Sequence, residues 1–361
     1  MHVLIAGGYG VVGEQIARIL RKRNPQMALT IAGRTLSKAQ QLAGELGDAT
    51  GAVFDVDEPG DFERLPSRPD IAIVSVNDLT DATFRTALRS GIGLVDITRW
   101  TSRVRDAEAI VAKEGSPRAP MILGSSWMAC VPGALAWSAA REMTSVDSID
   151  MSILYSLRDK SGGDSVEYMD RLHLPFPVVR DGKPAMARPY TEARRVTFPD
   201  GIRAAVYRFD SPDQHILPIL TGAKSVAARM AFDSRSATVS LMFLVRSGLW
   251  GLLGGNRFRS LRRGLLHNPG PGAPHCVEVD IKGSGPGGRT NRVIRIVDPL
   301  GQTHMTAVGG VLQAEWALGL NGFATPGPGL HYGESIGPEG TLSKALAEEL
   351  VKVSHDGWPS Q

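Results

Sequence analysis

The chain has 361 residues, 42% hydrophobic and 21% charged, with a net charge of +3 at neutral pH. That length suits two domains, and the composition is ordinary for a globular protein. So small a positive balance gives no ground for nucleic-acid binding, and Cys130 and Cys276 make no disulfide framework, which points to a reducing compartment.

The predicted elements start at once: HVLIA at 2–6 reads as a buried strand and leaves no room for a signal peptide, so a cytoplasmic protein is expected. The strand enters GGYGVVG, in which Gly8, Gly10 and Gly13 match the G-x-G-x-x-G dinucleotide fingerprint. In that reading Gly8 permits the tight turn, Gly10 lets the backbone approach a pyrophosphate, and Gly13 lets the next helix lie close to the sheet. Tyr9, Val11 and Val12 complete the loop. The helix VVGEQIARILRK sets Val12, Ile16, Ile19 and Leu20 on one face and aims its free N–H groups at the phosphates.

A second strand, ALTIAG, ends at Gly33-Arg34-Thr35, with Ser37 and Lys38 behind and no carboxylate nearby. An NAD site usually carries an Asp or Glu at this point for the ribose hydroxyls. A carboxylate would repel a 2′-phosphate, whereas a guanidinium holds one through charge-assisted bonds worth roughly 1.5–3 kcal/mol each. Arg34, Thr35 and Lys38 therefore predict NADP(H); a solvated surface arginine is the competing reading.

Further on come the helix LSKAQQLAGEL, the strands AVFDVD and DIAIVSVN, the helix DATFRTALRSG stopping at Gly91, the strand IGLVDIT, the helix DAEAIVAKEG and the strand PMILGSS. Strands apolar on both faces, alternating with helices, predict a doubly wound parallel sheet. Ligands of such sheets lie beyond the carboxyl ends of the strands. The residues leaving those ends are Asn77 and Asp78, Asp96 and Thr98, and Ser125 to Trp127.

From about residue 147 the pattern shifts to short β-rich segments: SIDMSILYSL, ARRVTFP, IRAAVYRF and KSVAARMAF. HCVEVDIKG and TNRVIRIVD alternate around GSGPGG, which predicts an antiparallel hairpin rather than a second phosphate loop, since no helix follows. Two helices, VLQAEWALGLNG and GTLSKALAEELVKVS, are expected to close the chain. The fold class is thus α/β, an N-terminal Rossmann sheet plus a second α/β domain with a mixed or antiparallel sheet. The domain boundaries expected are 1–125 for dinucleotide binding and 126–330 for substrate and dimerisation, with 331–361 as a terminal segment. The apolar stretch SLMFLVRSGLWGLLGG is broken by Arg246 and glycines and falls short of a membrane span.

GGYGVVGEQIARIL, the AGR at 32–34, VDIT at 95–98 and SSWMACVPGALA at 125–136 resemble the saccharopine dehydrogenase-like oxidoreductases. QAEWALGLNGFATPGPGLHYGES is similar to the closing segment of that family, a helix leading into a Pro/Gly loop that ends in an acidic residue. The resemblance implies a C-terminal helix returning to the Rossmann domain, a homodimer, and an NAD(P)-dependent enzyme working on amino-acid-derived imines and secondary amines. Other branches reduce carbon–carbon double bonds in lipid-like substrates.

Candidate chemistry is less legible. Asn77 could meet the nicotinamide ribose or carboxamide, or satisfy a loop. Asp96 could orient a proton donor or fix the next loop as a structural cap, and Trp127 could wall the substrate pocket or fill the core. Cys130 reads as inert packing. Arg188, Arg194 and Arg195 around Tyr190 could clamp substrate carboxylates or stay solvated, and His173 and His215 fall in loop-like surroundings. The run NRFRSLRR at 256–263 could meet an acidic lipid surface or be an exposed basic helix face. No group of His and carboxylate residues has metal-ligand spacing in the sequence. The function expected is NADP(H)-dependent reduction of an imine formed from an amine and a keto acid. The alternatives are an enoyl or carbonyl reductase on a hydrophobic acyl substrate, and a non-catalytic NADP-binding regulatory protein.

Overall fold

The structure, a computed structural model, describes residues 1–58, 61–125, 127–159, 170–252 and 272–356. The elements of the first stretch are β1 (His2–Ala6), α1 (Val11–Arg23), β2 (Ala28–Gly33), α2 (Leu36–Leu46), β3 (Ala49–Val53) and β4 (Ile71–Val74). They are followed by α3 (Ala82–Ser90), β5 (Gly93–Arg99), α4 (Thr101–Glu114) and β6 (Pro120–Ser125). Next are α5 (Val131–Ala140), β7 (Ser145–Tyr155), β8 (Phe176–Arg180), β9 (Lys183–Ala187), β10 (Arg194–Thr197) and β11 (Arg203–Arg208). α6 (Asp213–Thr221), β12 (Ser225–Phe232), α7 (Arg235–Arg246), α8 (Leu249–Leu252), β13 (His275–Gly285) and β14 (Gly288–Asp298) come after them. The last are α9 (Gln302–Leu318), β15 (Gly329–Tyr332), α10 (Glu339–Glu348) and β16 (Lys352–Asp356).

The chain divides into two compact units, one of residues 1–130 and 303–342, the other of residues 131–302 and 343–361. The first is built on a seven-stranded sheet in the order β15-β6-β5-β4-β1-β2-β3, parallel throughout. Strand order reverses at β1, which pairs β2 on one side and β4 on the other. The unbroken apolar runs Val3-Leu4-Ile5 and Ile71-Ala72-Ile73-Val74 are buried, as strands covered on both faces must be. α1 contributes Ile16, Ala17, Ile19 and Leu20 to that core.

The second unit holds a mixed sheet ordered β10-β11-β12-β7-β13-β14-β16, in which β12 runs parallel to β7 and the other pairings are antiparallel. Strict alternation sorts its faces. Ile149, Met151, Ile153, Val277, Val279, Ile281, Ile294 and Ile296 share the apolar side and are buried, with α5 packed against β7, β13 and β14. Asp150, Ser152, Glu278, Asp280 and Arg295 share the other side in register. GSGPGG is the turn of the β13–β14 hairpin, closing at Gly285 opposite Gly288. The architecture is α/β, a Rossmann sheet and a second mixed sheet.

Three elements depart from the sequence expectation. The helix expected from Val311 begins at Gln302, because QTHMTAVGG is buried on every side and tertiary packing overrides its weak helix propensity. The third strand forms over ATGAV at 49–53 rather than over AVFDVD. The final helix stops at Glu348: Leu350 turns left-handed (φ 66°) and Lys352–Asp356 pairs antiparallel with β14, whose open edge accepts the alternating KVSHD.

Candidate cofactor and active site

The glycine loop joins β1 to α1 at the point of strand reversal. Gly7, with φ 79°, makes the turn that the sequence reading gave to Gly8, and the N–H groups of Gly7 and Gly8 both donate to the Ala32 carbonyl, at 2.9 and 3.0 Å. Gly10 donates to the Gly7 carbonyl (2.8 Å) and opens α1 in an extended conformation. At Gly13 a Cβ would lie 2.2 Å from the Gly7 carbonyl oxygen, so the helix can approach the loop only without a side chain. The N–H groups of Val11, Val12 and Gly13 begin the helix and have no intrahelical acceptor. They form a polar cradle with the positive end of the helix dipole behind it.

Tyr9 reaches across to the end of β2, where its ring covers Gly33 so closely that a Cβ there would sit 2.6 Å from Cε1. The Tyr9 hydroxyl accepts from the Thr35 N–H at 2.9 Å, which ties the loop to the start of α2. Arg34 and Lys38 stand exposed beside that helix start, and the first turn of α2 contains no acidic residue. Between Gly33 and Gly44 the sequence has no Asp or Glu. A dinucleotide fits these residues: bare N–H donors for a pyrophosphate, with the cations Arg34 and Lys38 exposed beside the end of β2.

The other strand ends carry a buried ionic corner. Asp96 on β5 is 1% exposed; its Oδ1 accepts from the Thr98 N–H (3.0 Å) and hydroxyl (2.7 Å), and its Oδ2 from Arg99 Nε (2.6 Å). Arg99, with no exposure at all, also meets Asp81 at 2.9 Å and stacks 4.7 Å from the Phe84 ring. Arg103 joins Asp81 at 2.9 Å and donates to the Asp78 carbonyl. The Asp78 carboxylate receives the Ala82 and Phe84 N–H groups at 2.9 and 3.0 Å, closing the start of α3. Burial pushes Asp78 up to about 6. Burial alone would raise Asp96 too, but the charges of Arg99 and Arg103 and the Thr98 bonds hold it below the usual carboxylate range. Both Asp96 oxygens are thus spent on the β5–α4 corner. Asn77 is half-buried between this corner and β4.

Past β6 the backbone takes an unusual course. Met128, Ala129 and Cys130 follow one another at φ 53°, 41° and 67°, a left-handed run without a glycine. Such residues persist only where their surroundings hold them. Gln313 of α9 donates to the Ala129 carbonyl at 2.5 Å, and the Ser125 N–H donates to Cys130 Sγ at 3.0 Å. Trp127, 9% exposed, donates its backbone N–H to the Ser125 hydroxyl (3.0 Å). Glu334, fully buried, follows β15, the strand paired with β6. Gln313 and the left-handed run both lie in segments that carry the family resemblance, 313–335 and 125–136, but no residue type there announces a positive φ or the bond between them.

In the second unit, Arg194 is held by Asp150 (3.1 Å) and Asp280, while Arg188 and Arg195 are exposed. Arg194 is therefore already neutralised by two carboxylates of its own sheet. His215 lies in α6 rather than in a loop, His173 is exposed, and the run at 256–263 is outside the described residues, as is Ser126. His275 is fully buried; neither ring nitrogen has a hydrogen-bond partner, and Nδ1 stands 3.7 Å from Asp159. Burial pushes its pKa down to about 3. Among the described residues, no cluster of His, Cys, Asp and Glu could hold a metal, and no helix is long and apolar enough to cross a membrane.

No family model matches the sequence, and no curated protein does. Among solved structures, the chain is similar to the apo saccharopine dehydrogenase (L-Glu forming) of Saccharomyces cerevisiae, at a TM-score of 0.67 and 14% identity, over 98% of this chain and 99% of that one. A putative myo-inositol dehydrogenase from Sinorhizobium meliloti aligns at a TM-score of 0.42 and 12% identity, covering 99% of each chain. A biliverdin reductase from Synechocystis aligns at 0.39 and 9%, covering 97% of each. These last two are too distant to carry any argument. At full length, the fold of this chain is the fold of saccharopine dehydrogenase.

Proposed function

We propose that the protein is an NADP(H)-dependent oxidoreductase that reduces an imine formed from an amine and a keto acid of the amino-acid type. The observation that carries the cofactor half is the end of β2, where Arg34 and Lys38 flank a helix start and no carboxylate follows for ten residues. Val11, Val12 and Gly13 would donate their N–H groups to the pyrophosphate, and Tyr9 would brace the adenosine side through Thr35. The nicotinamide, when bound, supplies a hydride. Around it the chain would provide position: Asn77, just past β4, would meet the ring's ribose or carboxamide, and Gln313 fixes the turn that carries Trp127. Asp96, engaged on both oxygens, acts by holding the β5–α4 corner rather than by exchanging a proton. The imine half of the proposal rests on the fold shared with saccharopine dehydrogenase, and a fold hosts many chemistries.

The test has two parts. Arg34→Asp should raise KM for NADPH about tenfold or more, from the loss of one charge-assisted contact, while leaving KM for NADH nearly unchanged; equal effects on both defeat the cofactor assignment. NADPH consumption, screened over amine and keto-acid pairs and over enoyl thioesters, should appear with the former. Consumption with the thioesters alone would favour a reductase of acyl substrates, and cofactor binding without oxidation under any pairing would leave a regulatory NADP-binding protein.

A further inference from the structure

α7 shows two faces of opposite purpose. Thr238, Leu241 and Val245 turn inward and are buried. Arg235, Val239, Phe243 and Arg246 recur at helical spacing along the outward side, so a cation stands at each end of an apolar stripe. Val239 is 44% exposed and Phe243 64%, and the stripe continues into α8 with Leu249 at 43% and Leu252 at 75%. Four large apolar side chains gathered on two consecutive helices form a patch that water disfavours and that ordinary surfaces avoid. The helix is preformed: the Ser234 side chain caps it by accepting from the Ala237 N–H at 3.3 Å.

The charge of this region has one sign. From Ser234 to Leu252 the sequence contains two arginines, Arg235 and Arg246, and not one Asp or Glu. An apolar stripe bounded by arginines, in a stretch without acids, complements a surface that is greasy within and negative at its rim. We propose that the outward face of α7 and α8 docks the protein on an anionic lipid surface. The helix lies in the plane of the interface, with Phe243 and Leu252 entering the acyl boundary and Arg235 and Arg246 at the level of the headgroups. No helix among the described residues is long and apolar enough to cross a membrane, and the proposed attachment is peripheral and reversible. The proposal stands apart from the reaction proposed above, since it draws on no residue of the glycine loop or of the corner at Asp96.

The experiment is co-sedimentation of the full-length protein with vesicles of phosphatidylcholine alone and of phosphatidylcholine mixed with phosphatidylserine. Binding is expected to the mixed vesicles and to fall steeply with added salt. Each arginine at an anionic surface is worth about fivefold in partition, so Arg235→Gln with Arg246→Gln should weaken binding roughly twenty-fivefold. Phe243→Glu with Leu252→Glu should abolish it. All four positions are exposed, so the melting temperature of each variant should match the parent and show that folding is intact. Binding to neither vesicle overturns the proposal. So does equal binding to both, and so does a patch variant that turns a dimer into a monomer on a sizing column without any vesicle binding, which would assign the patch to a second copy of the chain.

Discussion

In the first unit a group of buried charges gathers at one corner, where Arg99 bridges Asp96 and Asp81 and Arg103 returns to Asp81, with Asp78 closing the helix beside them. In the second they spread across strands, Arg194 to Asp150 and Asp280, Arg229 to Asp150, Arg295 to Glu278 and Asp356. The corner is sealed: Arg99 has no exposure, so its cost of desolvation is repaid only while every partner stays. The cross-strand ladder opens to water at its outer end, Arg295 at 32% and Asp356 at 58%, and the pair there matters less. Charge placed at strand ends fixes loops, whereas charge placed along strands mostly fixes register.

The contrast can be broken from either side. The largest effect is expected from His275→Phe, read through acid unfolding. Above pH 6.5 the buried histidine is neutral in folded and unfolded chains alike; as pH falls from 6.5 toward 3, only the unfolded chain takes the proton, and the second unit loses stability by about 5 kcal/mol. The variant should flatten that slope, as measured by hydrogen exchange resolved by unit across the pH range; an unchanged slope would show that His275 is not the titrating group. Next comes Arg99→Met, which leaves Asp96 and Asp81 without their guanidinium and should cost the first unit about 3–5 kcal/mol in denaturant melts. A loss under 1 kcal/mol would show the corner to be less sealed than its burial implies.

Asp78 works with the opposite sign to His275. Its folded value near 6 lies above its ordinary value of 3.8, so the first unit gains up to about 3 kcal/mol as pH falls through that window. Exchange in α3 should slow on mild acidification while exchange in β13 quickens. Smallest is Arg295→Gln, expected to shift stability by less than about 1 kcal/mol because the guanidinium is 32% exposed and its partner Asp356 58%.

The same contrast explains what was legible in the residues. β1, the glycine loop, α1 and β2 are local in sequence, and each carries its own signal in periodicity or in glycine spacing. The hairpin around GSGPGG is equally local, and it forms where alternation and turn chemistry place it. Gly7 carries no signal of its own because the fingerprint is spaced from Gly8, whereas the left-handed turn falls one residue earlier. The run Met128-Ala129-Cys130 was invisible because ordinary residues do not advertise a positive φ; Gln313, almost two hundred residues away, holds it. Arg194 looked available for a substrate because its carboxylates lie on other strands, and no spacing along the chain reveals them. Local rules show the cofactor side of the candidate site, and long-range packing hides the rest.

The first unit is discontinuous: α9 and β15 reach it only after the whole of β7 to β14 has been made. Until Tyr332 leaves the ribosome, the outer edge of β6 stands bare, with its row of N–H and C=O groups open to any passing strand. Completion of the parallel sheet must therefore wait until residues 329–332 have been made. A growing chain keeps that edge uncovered, and ribosome pausing before residue 329 would prolong the exposure.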